Sequence, residues 1–193
     1  QDASSQKIGQ LLDVKEGMRV VDVCAGAGGK TLHLAALMKN KGQIIALDIY
    51  EWKLAELKRR AKRAGAHNIE TRMIDDNKVI KRLHETADRL LIDSPCSGLG
   101  VLKRNPDSKW KIDQAFIDRI KKEQEKILKD YSKILKKGGK MIYATCSILP
   151  SENNEQVEIF LKNNDNYSLI KEEKIMPSEG FDGFYMALIE RKA

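Results

Sequence analysis

"MRVVDVCAGAGGKTLHLAALMKNKGQIIALDI", residues 18–49, reads as a complete strand–helix–strand unit. Met18–Val23 is apolar apart from Arg19 and Asp22, as a buried strand would be. Gly26, Gly28 and Gly29 then make a tight turn. From Lys30 the apolar residues fall at helical spacing until Gly42 supplies a stop. "QIIALDI" is a second strand, and it ends in an acid, Asp48.

The same alternation continues outward. "YEWKLAELKRRAKRAG" is a helix with Leu54, Leu57, Ala61 and Ala64 in one stripe. "NIETRMID" is a third strand, residues 77–85 form a short helix, and "DRLLIDSP" is a fourth strand. A lysine-rich helix over about residues 113–136 is closed by "KKGGK" and leads into a fifth strand, "GKMIYATCS". The tail offers a helix near 152–163, with Pro150 as a turn, Ser151 as its N-cap and Asn154 completing a weak capping box. Two strands, "YSLIKEE" and "FYMALIERK", then form an antiparallel hairpin. Strands alternating with helices predict an α/β fold: a Rossmann-like, seven-stranded, mostly parallel sheet with helices on both faces. No repeat, low-complexity stretch or long linker divides the chain, so residues 1–193 are expected to form a single domain.

Composition narrows the function. The 193 residues are 41% hydrophobic and 33% charged, a balance that suits a folded domain and excludes a disordered tail. Lys and Arg exceed Asp and Glu by 35 to 28, a net +7 that favours polyanions such as nucleic acid or an anionic membrane. Cys24, Cys96 and Cys146 are too few and too scattered for a disulfide framework, which suits a reducing, cytoplasmic compartment. No C-x-x-C or H-x-x-x-H spacing points to a metal. No apolar run nears the ~20 residues of a membrane span. The chain begins at Gln1, not Met, so a fragment of something longer is expected.

In a sheet of this kind ligands bind beyond the carboxyl ends of the strands. "DVCAGAGGKT" lies there, and its small residues allow close approach of the backbone to a ligand with an anionic group. Asp48, 20 residues after Gly28, is placed to accept hydrogen bonds from two ribose hydroxyls, so a nucleoside cofactor is implied. Three cofactors compete. A nicotinamide motif wants a third glycine where Thr31 stands. A phosphate loop matches at "GKT", with "LLID" resembling a metal-binding acid, but Cys24 replaces its first glycine. S-adenosylmethionine needs a close loop, an acid for the ribose and a polar group near the adenine; Asp48 supplies the acid, and Asp75 or Asp76 the polar group.

"DSPCSG" and "ATCSI" each place a cysteine beside a serine just past a strand end. If the fourth and fifth strands are neighbours, Cys96 and Cys146 overlook one crevice. Two thiols suit methylation of carbon 5 of cytosine. That carbon is a poor nucleophile until a thiolate adds at carbon 6 and breaks the ring's aromaticity. A base must later remove the carbon 5 proton so that the thiol can leave. The attacking cysteine needs a lowered pKa or a neighbouring base.

At these residues the chain resembles the RNA (cytosine-5) methyltransferase family that includes bacterial ribosomal small subunit RNA methyltransferase B and eukaryotic nucleolar enzymes. "QDASSQ" resembles the family's opening motif, "DVCAGAGGKT" its cofactor loop, and "DSPCSGLGVLKRNPDSKW" and "YATCSILPSENNEQV" its two cysteine motifs. "DGFYMALIERK" resembles its closing strand. The family's loop usually carries Ala-Pro where this chain has Gly26 and Ala27, a difference bearing on loop stiffness. The resemblance implies S-adenosyl-L-methionine as cofactor and ribosomal or transfer RNA as partner. It implies Cys146 as the nucleophile and Cys96 as the residue that assists release. Cys24, Ala25, Gly26, Ala27, Gly28, Gly29 and Lys30 would hold the methionine end of the cofactor. Asp48 would hold the ribose, Asp75 would lie near the adenine with Asp76 as its rival, and Asp93 would sit by the cofactor amine and the target base. Cys24 is expected to be structural. Family members carry RNA-binding sequence upstream, which this chain would lack.

Lys103 and Arg104 follow the first cysteine motif and are candidates for RNA contact. The cluster "KLAELKRRAKR" reads as a solvated helix face, with phosphate contact as its alternative, and Trp52 and Trp110 read as packed side chains, with stacking on bases as theirs. Two other functions stay in view: a phosphate-loop nucleotide hydrolase, and an RNA-binding module without catalysis.

Overall fold

The computed structural model describes residues 2–193. Gln1, the first residue of the "QDASSQ" motif, lies outside them. The strands are β1 (Arg19–Val23), β2 (Gln43–Asp48), β3 (Ile69–Met73), β4 (Ala87–Asp93), β5 (Leu135–Thr145), β6 (Tyr167–Ile175) and β7 (Phe184–Arg191). The helices are α1 (Ala3–Leu11), α2 (Gly29–Leu37), α3 (Glu51–Arg63), α4 (Asn77–Lys81), α5 (Ser108–Lys111), α6 (Gln114–Tyr131) and α7 (Asn154–Lys162).

One seven-stranded sheet runs in the order β3-β2-β1-β4-β5-β7-β6. Strands β1 to β5 are parallel, and β7 is antiparallel to both β5 and β6. Alternate residues of the central strands face opposite ways, which sorts the apolar core into two layers. Val21, Val23, Leu90, Ile92 and Tyr143 pack with Ile80, Ile127, Leu128 and Phe160 from α4, α6 and α7. Val20, Ile44, Leu91 and Ile142 pack with Ile8, Leu12, Leu34 and Met38, from α1, α2 and their C-terminal caps. Helix α3 adds Leu57 and Ala61 against Ala46.

Several boundaries differ from the sequence reading, each for a local reason. Helix α1 was not anticipated; the Asp2 carboxylate caps it by accepting the Ser4 N–H at 2.9 Å. Ala64 is exposed, because α3 has ended before it at Arg63. Helix α6 ends at Tyr131, and "KKGGK" lies inside β5 rather than after the helix. There β5 bulges: Ala87 pairs with Leu135 but Arg89 pairs with Lys140, so the extra residues leave the ladder. The tail helix starts with a tight turn at Pro150–Glu152; Ser151 sits within that turn, and Asn153 precedes α7 without a side-chain cap. Trp52 and Trp110 are 67% and 80% exposed, not packed. Trp52 stands off the buried stripe of α3, and α5 buries no residue at all. No helix among the described residues is long and apolar enough to cross a membrane.

The turn into α2 depends on close packing. Gly28 holds φ +85°, and a Cβ built there would lie 2.5 Å from Cγ of the fully buried Leu57. Gly28→Ala should therefore destabilise the fold by roughly 2–4 kcal/mol, from left-handed strain plus overpacking. Urea denaturation measures this; a loss under about 1 kcal/mol would mean that α3 can retreat from the loop.

Asp22 of β1 is completely buried, and its Oδ2 accepts the Thr31 hydroxyl at 2.6 Å. Burial pushes its pKa from the ordinary 3.8 up to about 7, against the pull of the Thr31 hydrogen bond. The folded state thus keeps a proton that the unfolded chain has released. Stability should fall as pH rises from about 4 to about 7, by up to about 1.4 kcal/mol per pH unit, and then level off. Urea midpoints of Asp22→Asn should lack this slope, so the variant gains on the natural chain more at pH 7.5 than at pH 5.

Candidate active site

Strand β4 pairs with β5 in parallel register, Asp93 opposite Ala144. The chain leaves both strands at the same end of the sheet, which brings the two cysteine loops together. The Cys96 and Cys146 sulfurs lie 3.2 Å apart, although 50 residues separate them. Close backbone packing presses the loops together: Gly100 donates its N–H to the Cys146 carbonyl at 2.9 Å.

A cavity of about 410 Å³ opens at these strand ends. Both sulfurs line it, with Cys24, Lys30, Asp48, Tyr50, Asn77 and Asp93. A second cavity of about 440 Å³ adjoins it and is lined by Ala25, Gly26, Ala27 and Gly29 of the glycine loop. Cys24, Lys30, Asp93 and Cys146 line both. The glycine loop and Asp48 are therefore brought to one junction. Asp48 also builds the loop, since its Oδ2 accepts the Gly26 N–H at 2.8 Å while its Oδ1 accepts the Tyr50 N–H at 2.9 Å. Arg60, missed in the basic helix, donates to the Ala27 carbonyl at 2.9 Å and clamps the loop from outside. Its helix spacing alone gave no sign of this.

Other anticipated residues sit differently. Asp75 is exposed and absent from both cavity walls, where its neighbours Ile74 and Asn77 line the first. Asp76 is committed to capping α4 through the Lys78 N–H at 2.6 Å. Arg104 pairs with the buried Asp182 and lines the second cavity. Lys103 is exposed and lines neither. The phosphate-loop reading fails on Thr31: its hydroxyl, which would have to reach a metal ion, is buried and bonded to Asp22.

The electrostatics separate the three thiols. Cys24 is driven up chiefly by burial, as befits a structural thiol. Its hydrogen bond to Cys146, together with burial, drives Cys96 well above the ordinary thiol range. The same hydrogen bond lowers Cys146 against its own burial, helped by the Lys30 charge. Either sulfur can donate across this contact, and the two directions favour the proton on Cys96 and the negative charge on Cys146. Lys30 Nζ stands 2.6 Å from Asp93 Oδ2. Burial pulls the lysine down, but the Asp93 charge and hydrogen bond outweigh it, so Lys30 stays charged beside the thiols.

Comparison with known proteins places this geometry. A sequence model described as 16S rRNA methyltransferase RsmB/F matches residues 9–189. The probable ribosomal RNA small subunit methyltransferase B of Synechocystis is 40% identical over 86% of this chain and 38% of its own. The Bacillus subtilis protein of the same name is 35% identical over 100% of this chain and 47% of its own. This chain thus spans less than half the length of those curated relatives. Among solved structures, PH0851 superposes with a TM-score of 0.95 at 32% identity, over 99% of this chain and 46% of its own. NSun6 from Pyrococcus horikoshii, solved with the S-adenosylmethionine analogue SFG, gives 0.89 at 27% identity, over 100% of this chain and 53% of its own. With the family match running over nearly the whole sheet and both cysteine loops, the chain belongs to the 16S rRNA methyltransferase RsmB/F family.

Proposed function

We propose that this chain is the catalytic domain of an S-adenosylmethionine-dependent RNA (cytosine-5) methyltransferase, with ribosomal RNA the favoured substrate and transfer RNA the next. One observation carries the reading: two cysteine sulfurs from separate motifs meet at 3.2 Å in the wall of the cavity that also holds Asp48.

The residues fit the cofactor. A Cβ built on Gly26 or Gly29 would meet nothing within 4 Å, so the loop backbone borders open space. Asp48, 5% exposed, keeps lone pairs beyond its two backbone bonds for ribose hydroxyls. Asn77 and Ile74 take the adenine-side position expected of Asp75. Loop residues Cys24–Lys30 would hold the methionine end in the second cavity. When bound, S-adenosylmethionine supplies an electrophilic methyl group on a cationic sulfur.

The protein's own groups do the rest. Cys146, as thiolate, adds to carbon 6 of the cytosine and sends the ring electrons toward carbon 5. Asp93, held by Lys30, faces the same space and orients the base. Once Cys146 is bound to carbon, it no longer carries the charge that holds the proton on Cys96. Cys96 then gives its proton to solvent, and its thiolate is the base that takes the carbon 5 proton. Removal of that proton expels the Cys146 thiolate. Arg104 and Lys103 would meet RNA at the rim, Arg104 while held by Asp182.

Cys146→Ala should reduce methyl transfer from labelled cofactor to cytosine to background and form no adduct. Cys96→Ala should leave an RNA–protein adduct that survives denaturant on a gel. The reverse pattern would exchange the two roles. Asp48→Ala should weaken S-adenosylhomocysteine binding by at least about tenfold in calorimetry, since hydrogen bonds to a charged acceptor are lost; unchanged affinity would remove Asp48 from the site.

A further inference from the structure

The buried Glu152 is used by none of the steps above. It ends the tight turn Pro150–Glu152 and has no exposed surface. Its Oε1 accepts the Ser97 N–H at 2.8 Å and a Gln124 side-chain N–H at 3.1 Å. Its Oε2 accepts the Ser97 hydroxyl at 2.5 Å and the Ser147 hydroxyl. The two hydroxyls also lie within 3.1 Å of each other. Ser97 directly follows Cys96, and Ser147 directly follows Cys146. Gln124 also donates to the carbonyl of Pro95, the residue before Cys96, at 2.9 Å. One carboxylate thus holds both flanks of one reactive thiol and the following residue of the other.

No cation pairs with Glu152 among the salt bridges of the described residues; neutral donors alone surround it. Burying a carboxylate in this way is expensive unless its oxygens are satisfied, and removing its donors leaves an uncompensated group. Bonds to an ionised acceptor are shorter and about twice as strong as neutral ones. Two loops joined through a shared anion are held more narrowly than two loops that merely pack. The neighbouring Asn153 reinforces the second loop, accepting the Thr145 hydroxyl at 2.5 Å and donating to the Ser147 carbonyl at 3.0 Å.

We propose that Glu152 is a positioning residue that fixes the spacing of the Cys96 and Cys146 thiols by bonding the serine beside each. The purpose of that spacing rests on the methyl-transfer reading, but the spacing is measurable without RNA or cofactor. The Glu152 charge also adds to the forces that keep Cys96 protonated.

Phenylarsine oxide provides the probe. It condenses with two adjacent thiols, forms two arsenic–sulfur bonds and releases one water; a single thiol holds it weakly. The natural chain should capture one equivalent, mapped to the peptides of Cys96 and Cys146. Glu152→Gln keeps the side chain's size but removes its charge and places a donor against donors. Its affinity for the arsenical should fall at least tenfold, while S-adenosylhomocysteine binding remains within about twofold. If Glu152→Gln does not fold, Ser97→Ala and Ser147→Ala carry the test. Each should lower capture several-fold, and the double variant should approach Cys96→Ala. Folded variants that capture the arsenical as tightly as the natural chain would overturn the proposal. In that case an adduct formed by Cys96→Ala would leave methyl transfer standing. Tight capture lost with Glu152, but no methyl transfer to cytosine in any RNA, would instead leave the positioning role standing and remove its purpose.

Discussion

The parallel pairing of β4 with β5 is the constraint on which the site depends. A parallel ladder sends both strands out of the sheet at one end, and the register that puts Asp93 opposite Ala144 fixes how far apart the following loops begin. A slip of one residue would turn every side chain to the other face, so the buried alternation of Leu90, Leu91 and Ile92 against Met141, Ile142 and Tyr143 specifies the thiol contact from a distance. Strand β7 continues the lock on the other side of β5, where Tyr185 pairs with Thr145, one residue before Cys146.

Within that frame the polar groups form a connected chain. Thr31 binds Asp22 beneath the glycine loop, Asp48 binds the loop's Gly26, and Lys30 crosses from the start of α2 to Asp93 at the end of β4. Lys30 is the cation of this network, and it lies against Asp93 with the Asp22 charge also acting on it, in a partly dry setting. Its charge is therefore retained where a buried lysine alone would shed it. That retained charge offsets part of the Asp93 charge at Cys146.

The sheet, its mixed direction and the crevice at the strand ends were legible in the sequence because apolar runs and glycine turns follow directly from backbone geometry. Leu54, Leu57 and Ala61 took the buried face as their spacing required. What was not legible depended on tertiary partners. Helix α1 is short and weakly periodic, and only packing of Ile8 and Leu12 against α2 gives it a buried face. "KKGGK" has the composition of a helix stop, but the β4–β5 ladder reclaims it as a bulged strand. Asp75 and Asp76 look alike in sequence; Asp76 turns back to cap α4, and the cavity is lined instead by residues on either side of the pair. Trp52 and Trp110 were read as packed in preference to stacking on bases, whereas the helices carrying them turn those positions outward.

The roles of the two cysteines show where spacing ends and environment begins. Each sits past a strand, beside a serine, and their sequence settings are nearly interchangeable; the resemblance alone set Cys146 apart. The structure gives the difference a physical form. Cys146 lines both cavities, and its hydrogen bond with Cys96, aided by Lys30, outweighs burial and the Asp93 charge. Cys96 lines only the first, and the Glu152 carboxylate adds to the charge around it, so a proton there is favoured. Two thiols of the same intrinsic acidity become unequal chiefly through the hydrogen bond between them, with Lys30 favouring an anion on Cys146 and Glu152 disfavouring one on Cys96. An exchange of roles would move the shared proton against both of those charges, Lys30 and Glu152.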